Sequence, residues 1–124
     1  MVDTNILVSA ILLDSKKLWD MFECIFAKHT LVIASYTADE LLDVAERKFP
    51  ERISVIDRVL EQMPYELVYT SHEIEPGLFE IRDPDDYPVL YTAIKEDVDI
   101  LISNDRDLLS VEIEAPEIIS AHDF

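Results

Sequence analysis

Apolar and polar residues fall along this chain in blocks rather than in strict alternation. "NILVSAILL", Asn5 to Leu13, is an almost unbroken apolar run with helical character. "SKKLWDMFECIFAKH" puts Leu18, Trp19, Phe22, Ile25 and Phe26 on one helical face, and Ser15 stands where an N-cap belongs. "TLVIAS" is short and apolar throughout its centre, the pattern of a strand buried on both faces. "TADELLDVAERKF" predicts another helix. "ERISVIDRVLEQM", after Pro50, predicts one more, with Ile53, Ile56, Val59 and Leu60 on one side. "YELVYT" reads as a strand and "SHEIEPGLFEIR" as irregular chain.

The prolines place the next element. Pro88 is tolerated only in the first turn of a helix, so "DPDDYPVLYTAIKEDV" starts its helix close to Asp86. "DILIS" is a buried strand, "DRDLL" a short turn or helix, and "PEIIS" a last strand. "MVD" reads as the end of a first strand; only two residues precede Asp3, so either that strand is shortened or the chain start is misassigned. Apolar strands separated by helices predict a parallel sheet covered on both faces, an α/β sandwich whose ligands bind beyond the carboxyl ends of the strands.

Composition agrees with one domain over residues 1–124, since 49% hydrophobic residues in 124 suffice for a core. One glycine and six prolines argue against a barrel or sandwich of many tight turns. Cys24, the single cysteine, excludes an internal disulfide, and its place in "DMFECIFAK" predicts a buried, inert thiol. No secretory leader pattern and no apolar run of membrane-spanning length occurs, so the expected location is soluble and cytoplasmic, with no membrane partner.

Charge changes the picture. Twenty-seven Asp and Glu against ten Lys and Arg give −17 at pH 7. Such a field repels phosphodiester backbones unless part of the acid is gathered where a divalent cation inverts the local sign. Position decides between the two. Asp3 follows the first strand; Glu40 lies early in the helix after "LVIAS"; Asp83, Asp85 and Asp86 cluster before "YPVLYTAI"; Asp105 and Asp107 follow "DILIS". In a parallel sheet these junctions share one rim.

Each acid also has a purely structural explanation. "TADE" has the form of a capping box, Thr37 as N-cap and Glu40 reaching back. Asp86 can cap its helix or complement the dipole, and Asp105 in "SNDRD" can serve a turn. Asp3 is the hardest to explain so, because a strand end in a buried sheet offers few solvated positions. If the acids do hold an ion, oxygen ligands without a His or Cys pair at zinc spacing select Mg²⁺ or Mn²⁺. His29, His72 and His122 are scattered and read as ordinary surface or loop residues. With Gly77 alone there is no phosphate-binding glycine loop, and no serine sits in a nucleophile elbow.

Taken in order, "VDTNILVSAIL", "LVIAS…DELLDVAERKF", "RDPDDYPVLYTAI" and "DILISNDRDLL" resemble the motifs of PIN-domain proteins, in the branch described as toxins of toxin–antitoxin pairs and akin to VapC. The resemblance covers nearly the whole chain. It implies a three-layer α/β/α sandwich with a central parallel sheet, and a metal-dependent ribonuclease. By the same resemblance Asp3, Glu40, Asp86 and Asp105 are the catalytic acids, with Mg²⁺ or Mn²⁺ on Asp3, Asp86 and Asp105. Thr4 and Asn5 would orient Asp3, Ser103 would hydrogen-bond within the site, and Asp107 is an extra acid. Asp83 and Asp85 compete with Asp86, which is preferred because Ala93 continues its helical face. Arg82 and Arg106 are the basic residues available to a substrate phosphate, with Lys16 and Lys17 more distant candidates. Implied partners are RNA, an antitoxin protein and a second copy of the chain, the last through the Trp19 or Ile53–Leu60 helix faces.

Two other classes compete. A non-catalytic PIN-like protein-binding module would keep the fold and act by contact, which the acidic surface favours and the full set of acids opposes. A phosphoryl-transfer enzyme or phosphoacceptor needs a lysine after a late strand, and "DILISNDRD" has none.

Overall fold

In the computed structural model, which describes residues 1–124, four short strands form two separate pairs, each parallel. Asp3 caps α1 (Thr4–Leu7), which continues as a π-helical turn over Val8–Leu12. Helix α2 (Lys16–Lys28) starts where the Ser15 hydroxyl accepts the Leu18 N–H at 3.4 Å. It buries Leu18, Phe22 and Ile25. Cys24, expected inside, is exposed. Two residues along a helix is a rotation of about 200°, so the position after next from Phe22 faces away from the core.

Strand β1 (Val32–Ala34) turns directly into α3 (Ser35–Lys48). The expected capping box does not form, because the helix begins before Thr37 and Ala34 is its N-cap. Thr37 is instead fully buried, its hydroxyl without a partner. A 3₁₀ turn at Pro50–Arg52 leads into α4 (Ile53–Gln62), then β2 (Glu66–Val68). The chain from Tyr69 to Asp83 has no regular element. Another 3₁₀ turn, Pro84–Asp86, opens α5 (Tyr87–Lys95), with Pro88 in its first turn as the sequence requires. Strand β3 (Ile100–Ile102), helix α6 (Arg106–Leu109) and strand β4 (Glu117–Ile119) complete the order.

Strand β1 pairs with β2, Ile33 opposite Leu67, and β3 pairs with β4, Leu101 opposite Ile118. The chain start lies parallel to β3. Val2 bridges to Ile102, the Ile102 N–H donates to the Met1 carbonyl at 2.9 Å, and the Asp3 N–H donates to the Ile102 carbonyl at 3.2 Å. The chain start is thus held against β3 through a single bridge at Val2. Its pairing with β3 fixes Asp3 beside Ser103.

The larger core joins Val2, Ile6, Leu7, Phe22, Ile33, Leu41 and Ile56. A second cluster, with Ala34, Leu90, Ala93, Leu101 and Leu108, packs α5 and α6 against the strands. Trp19, Ile53, Val59 and Leu60 lean on the larger core, so the helix faces considered for a second copy are used within the chain. Burying a side chain such as Phe22 contributes roughly 2–3 kcal/mol. No helix is long and apolar enough to cross a membrane. A cavity of about 480 Å³ opens at the starts of β1 and β3, lined by Met1, Leu31, Val32, Val98, Ile100 and Phe124 among others. It lies at the opposite end of the strands from the carboxylates described next.

Candidate metal centre

Where the strands end, polar side chains become buried. Asp3 is only 5% exposed. One of its oxygens accepts the Ile6 N–H at 3.1 Å, which is the cap of α1, and the other accepts the Ser103 hydroxyl. Burial still pushes its carboxyl up, against those two hydrogen bonds and with Asp105 and Glu40 adding repulsion. Ser103 also accepts the Asp105 N–H at 3.0 Å, so one hydroxyl links the first acid to the loop that carries the fourth.

Thr4, expected beside Asp3, donates instead to Glu40 at 2.7 Å. Asn5 is exposed. The Asp3 carboxylate takes its hydrogen bonds from the Ile6 N–H and the Ser103 hydroxyl, not from these two side chains. Burial raises the Glu40 carboxyl, the Thr4 hydroxyl opposes that, and Asp85 and Asp43 add repulsion. Tyr36 stands over the same ground. Its phenol donates to the Asp85 carbonyl at 3.0 Å, and its own ionisation is pushed up to about 12 by burial and by Glu40, Asp85, Asp86 and Asp83.

The tightest grouping differs from the expected one. Carboxylate oxygens of Asp83, Asp86 and Asp107 all lie within 4.8 Å of one another. Asp83 and Asp86 are three apart across a 3₁₀ turn, where such positions eclipse, so both face the same way and Asp85 does not. The Asp83 carboxylate also accepts the Asp85 N–H at 3.0 Å and so caps the turn, which the Asp86 N–H closes by donating to the Asp83 carbonyl at 3.1 Å. Asp107 enters from α6, whose N-cap is Asp105. The Asp105 carboxylate accepts the Asp107 N–H at 2.8 Å, so Asp105 does serve a turn while it faces the cluster.

Asp86 is the centre of the electrostatics. Burial pushes its carboxyl up to about 7, and the charges of Asp105, Asp83, Asp107 and Asp3 push the same way. One of its oxygens is buried with no hydrogen-bond partner. A buried, unpartnered carboxylate oxygen ringed by other acids is costly without a cation. The donor set, all carboxylate oxygen, suits a hard divalent ion. Of the basic residues, Arg82 is paired: its guanidinium donates to both Asp107 oxygens, at 2.8 and 2.7 Å. That pairing holds the Asp107 carboxyl below its ordinary range. Arg106 opens α6, is exposed and makes no ion pair.

Asp3, Glu40, Asp86 and Asp105 therefore come to one rim, but only Asp86 belongs to the close trio. Asp83 as a partner of Asp86, the Arg82–Asp107 pair and the Tyr36 bridge were not read from sequence. Pro84 after Asp83 is the signal that could have found the first, since it starts the turn that aligns Asp83 with Asp86.

A family model described as PIN domain matches residues 1–107. The chain belongs to the PIN-domain family. No curated protein matches it. Among solved structures, a chain from the crystal structure of VapBC2 from Rickettsia felis bound to a DNA fragment from their promoter has the same fold, with TM-score 0.73 and 22% identity, covering 96% of this chain and 95% of that one. The α/β/α sandwich of this PIN domain, with its parallel strands, is the architecture the motifs imply. The match extends through Asp107, so every acid of the rim lies inside the family segment.

Proposed function

We propose that this PIN domain is a metal-dependent ribonuclease and the toxin of a toxin–antitoxin pair. The observation that carries the reading is the Asp86 oxygen, buried and unpartnered, within 4.8 Å of the Asp83 and Asp107 carboxylates. Family membership and the fold shared with the VapBC2 chain support the same class.

Asp86 would hold Mg²⁺ or Mn²⁺ with Asp83 and Asp107, and Asp3 and Asp105 would close the ring. When bound, such an ion polarises a phosphate oxygen and acidifies a coordinated water. The chain's own residues do the rest. Asp3, locked by Ile6 and Ser103, holds its carboxyl group at a fixed point of the rim. Glu40, raised by burial and held by Thr4, is suited to take a proton from an attacking water. Arg106, unpaired on the rim, is available to a substrate phosphate. An antitoxin segment that covers this rim would bring cations or apolar side chains to it.

The −17 charge favours a second reading, a PIN domain that binds protein without cutting RNA. One assay separates the two. Fluorescent single-stranded RNA is incubated with the protein in Mn²⁺ or Mg²⁺, with EDTA, and with Asp86→Asn. Metal-dependent cleavage lost in EDTA and in the variant supports the nuclease; equal cutting by wild type and variant refutes the assignment, and no cutting by either leaves the binding module.

A further inference from the structure

We infer that Arg82 is a built-in competitor for the divalent ion: it occupies Asp107 in the metal-free protein and leaves that carboxylate when the ion enters. The inference rests on the metal site proposed above.

Both Asp107 oxygens are already engaged, one by Nε and one by Nη2 of Arg82. No lone oxygen of Asp107 is left free of Arg82, yet the same carboxylate belongs to the trio with Asp83 and Asp86. The two partners are anchored unequally. The Asp107 side chain is 17% exposed and its backbone N–H is held by Asp105, whereas the Arg82 side chain is 78% exposed. Asp107 is therefore the fixed member and Arg82 the one able to move. A depression of about 330 Å³ lies beside the pair, lined by Glu80, Ile81, Arg82, Asp107 and Ser110. A displaced guanidinium has room there, next to the Glu80 carboxylate.

Energetics favour the exchange. An ion pair with one member largely in water is worth little, because solvent screens it and side-chain ordering opposes it. A divalent ion on three facing carboxylates relieves the repulsion among all of them. Guanidinium and ion together on Asp107 would instead set two cations against one carboxylate, and arginine cannot shed its charge to avoid this. Arg82 thus neutralises part of the rim while it is empty of metal. On release it becomes a free cation at the edge where a phosphate would arrive.

The test is calorimetric titration of Mn²⁺ into the full chain and into Arg82→Ala, together with the NMR signal of the Arg82 Nε–H in the wild type as Mg²⁺ is added. The expected result is roughly two- to fivefold tighter Mn²⁺ binding by the variant, and a shift of the Arg82 signal that follows Mg²⁺ occupancy. Unchanged or weaker binding by Arg82→Ala, or an Arg82 signal that stays still while Mg²⁺ binds, overturns the inference and leaves the metal site intact. Failure of both proteins to bind either ion overturns the metal site as well.

Discussion

The Ser103 hydroxyl donates to the Asp3 carboxylate across a sequence separation of 100 residues. This one contact ties the end of β3 to the cap of α1, and it supports a carboxylate buried where two parallel segments end. Ser103→Ala takes one donor from a buried anion, so unfolding in urea should show a loss of about 1–3 kcal/mol. Without that donor the Asp3 carboxyl rises further, and the ionised form is disfavoured in the folded state alone. The loss should therefore be larger at pH 8 than at pH 5. An equal loss at both would mean that the hydroxyl does not bear on the charge of Asp3.

Asp86 contributes to the pH dependence of the metal-free protein, in the same direction as the raised carboxyls of Asp3 and Glu40. Its carboxyl is raised from 3.8 to about 7 in the folded state. Between those values the folded chain binds more protons than the unfolded chain, so this group makes stability fall as pH rises. Asp107 acts in the opposite sense, because its carboxyl is lowered by Arg82. In EDTA, Asp86→Asn should be more stable than wild type at pH 8 by about 1 kcal/mol, a figure reduced for partial solvent screening. At pH 4 the two should nearly coincide. A variant less stable at pH 8 would show that Asp86 acts chiefly as a structural cap.

Metal should reverse that order. An ion that binds only the folded state stabilises it by about 2.7 kcal/mol at a hundred times its dissociation constant. Thermal unfolding of the wild type should move upward as Mn²⁺ is added, and Asp86→Asn should respond far less. Equal upward shifts in both would place the stabilising ion elsewhere.

Thr37 offers a control at a side chain that no hydrogen bond links to the carboxylates. It is fully buried and its hydroxyl has no partner, so it carries a desolvation cost with no hydrogen bond in return. Thr37→Val keeps the shape and removes that cost. It should raise stability by up to about 1 kcal/mol in urea unfolding. A clear loss would reveal a bond to the hydroxyl.

The order of helices and strands was legible because it depends on apolar spacing and on a few residues with one local use, such as Ser15 at a helix start and Pro88 in a first turn. What failed depends on the third dimension. "TADE" has the composition of a capping box, but the chain turns straight from Ala34 into α3, leaving Thr37 inside. Cys24 sits among apolar residues in sequence and opposite them around the helix. For the site, the strand-end rule was enough to gather Asp3, Glu40, Asp86 and Asp105 at one edge. It could not say that Asp83 would eclipse Asp86, or that Arg82 would cross to Asp107, since both follow from the turn at Pro84 and the packing of α6.

The convergence of acids on a hard cation is tested most directly by the anomalous signal of Mn²⁺ in crystals of the wild-type protein. The account predicts one strong peak among the carboxylates of Asp83, Asp86 and Asp107, absent in Asp86→Asn crystals grown in the same solution. A peak that persists in the variant, or manganese bound only at distant surface acids, would contradict it.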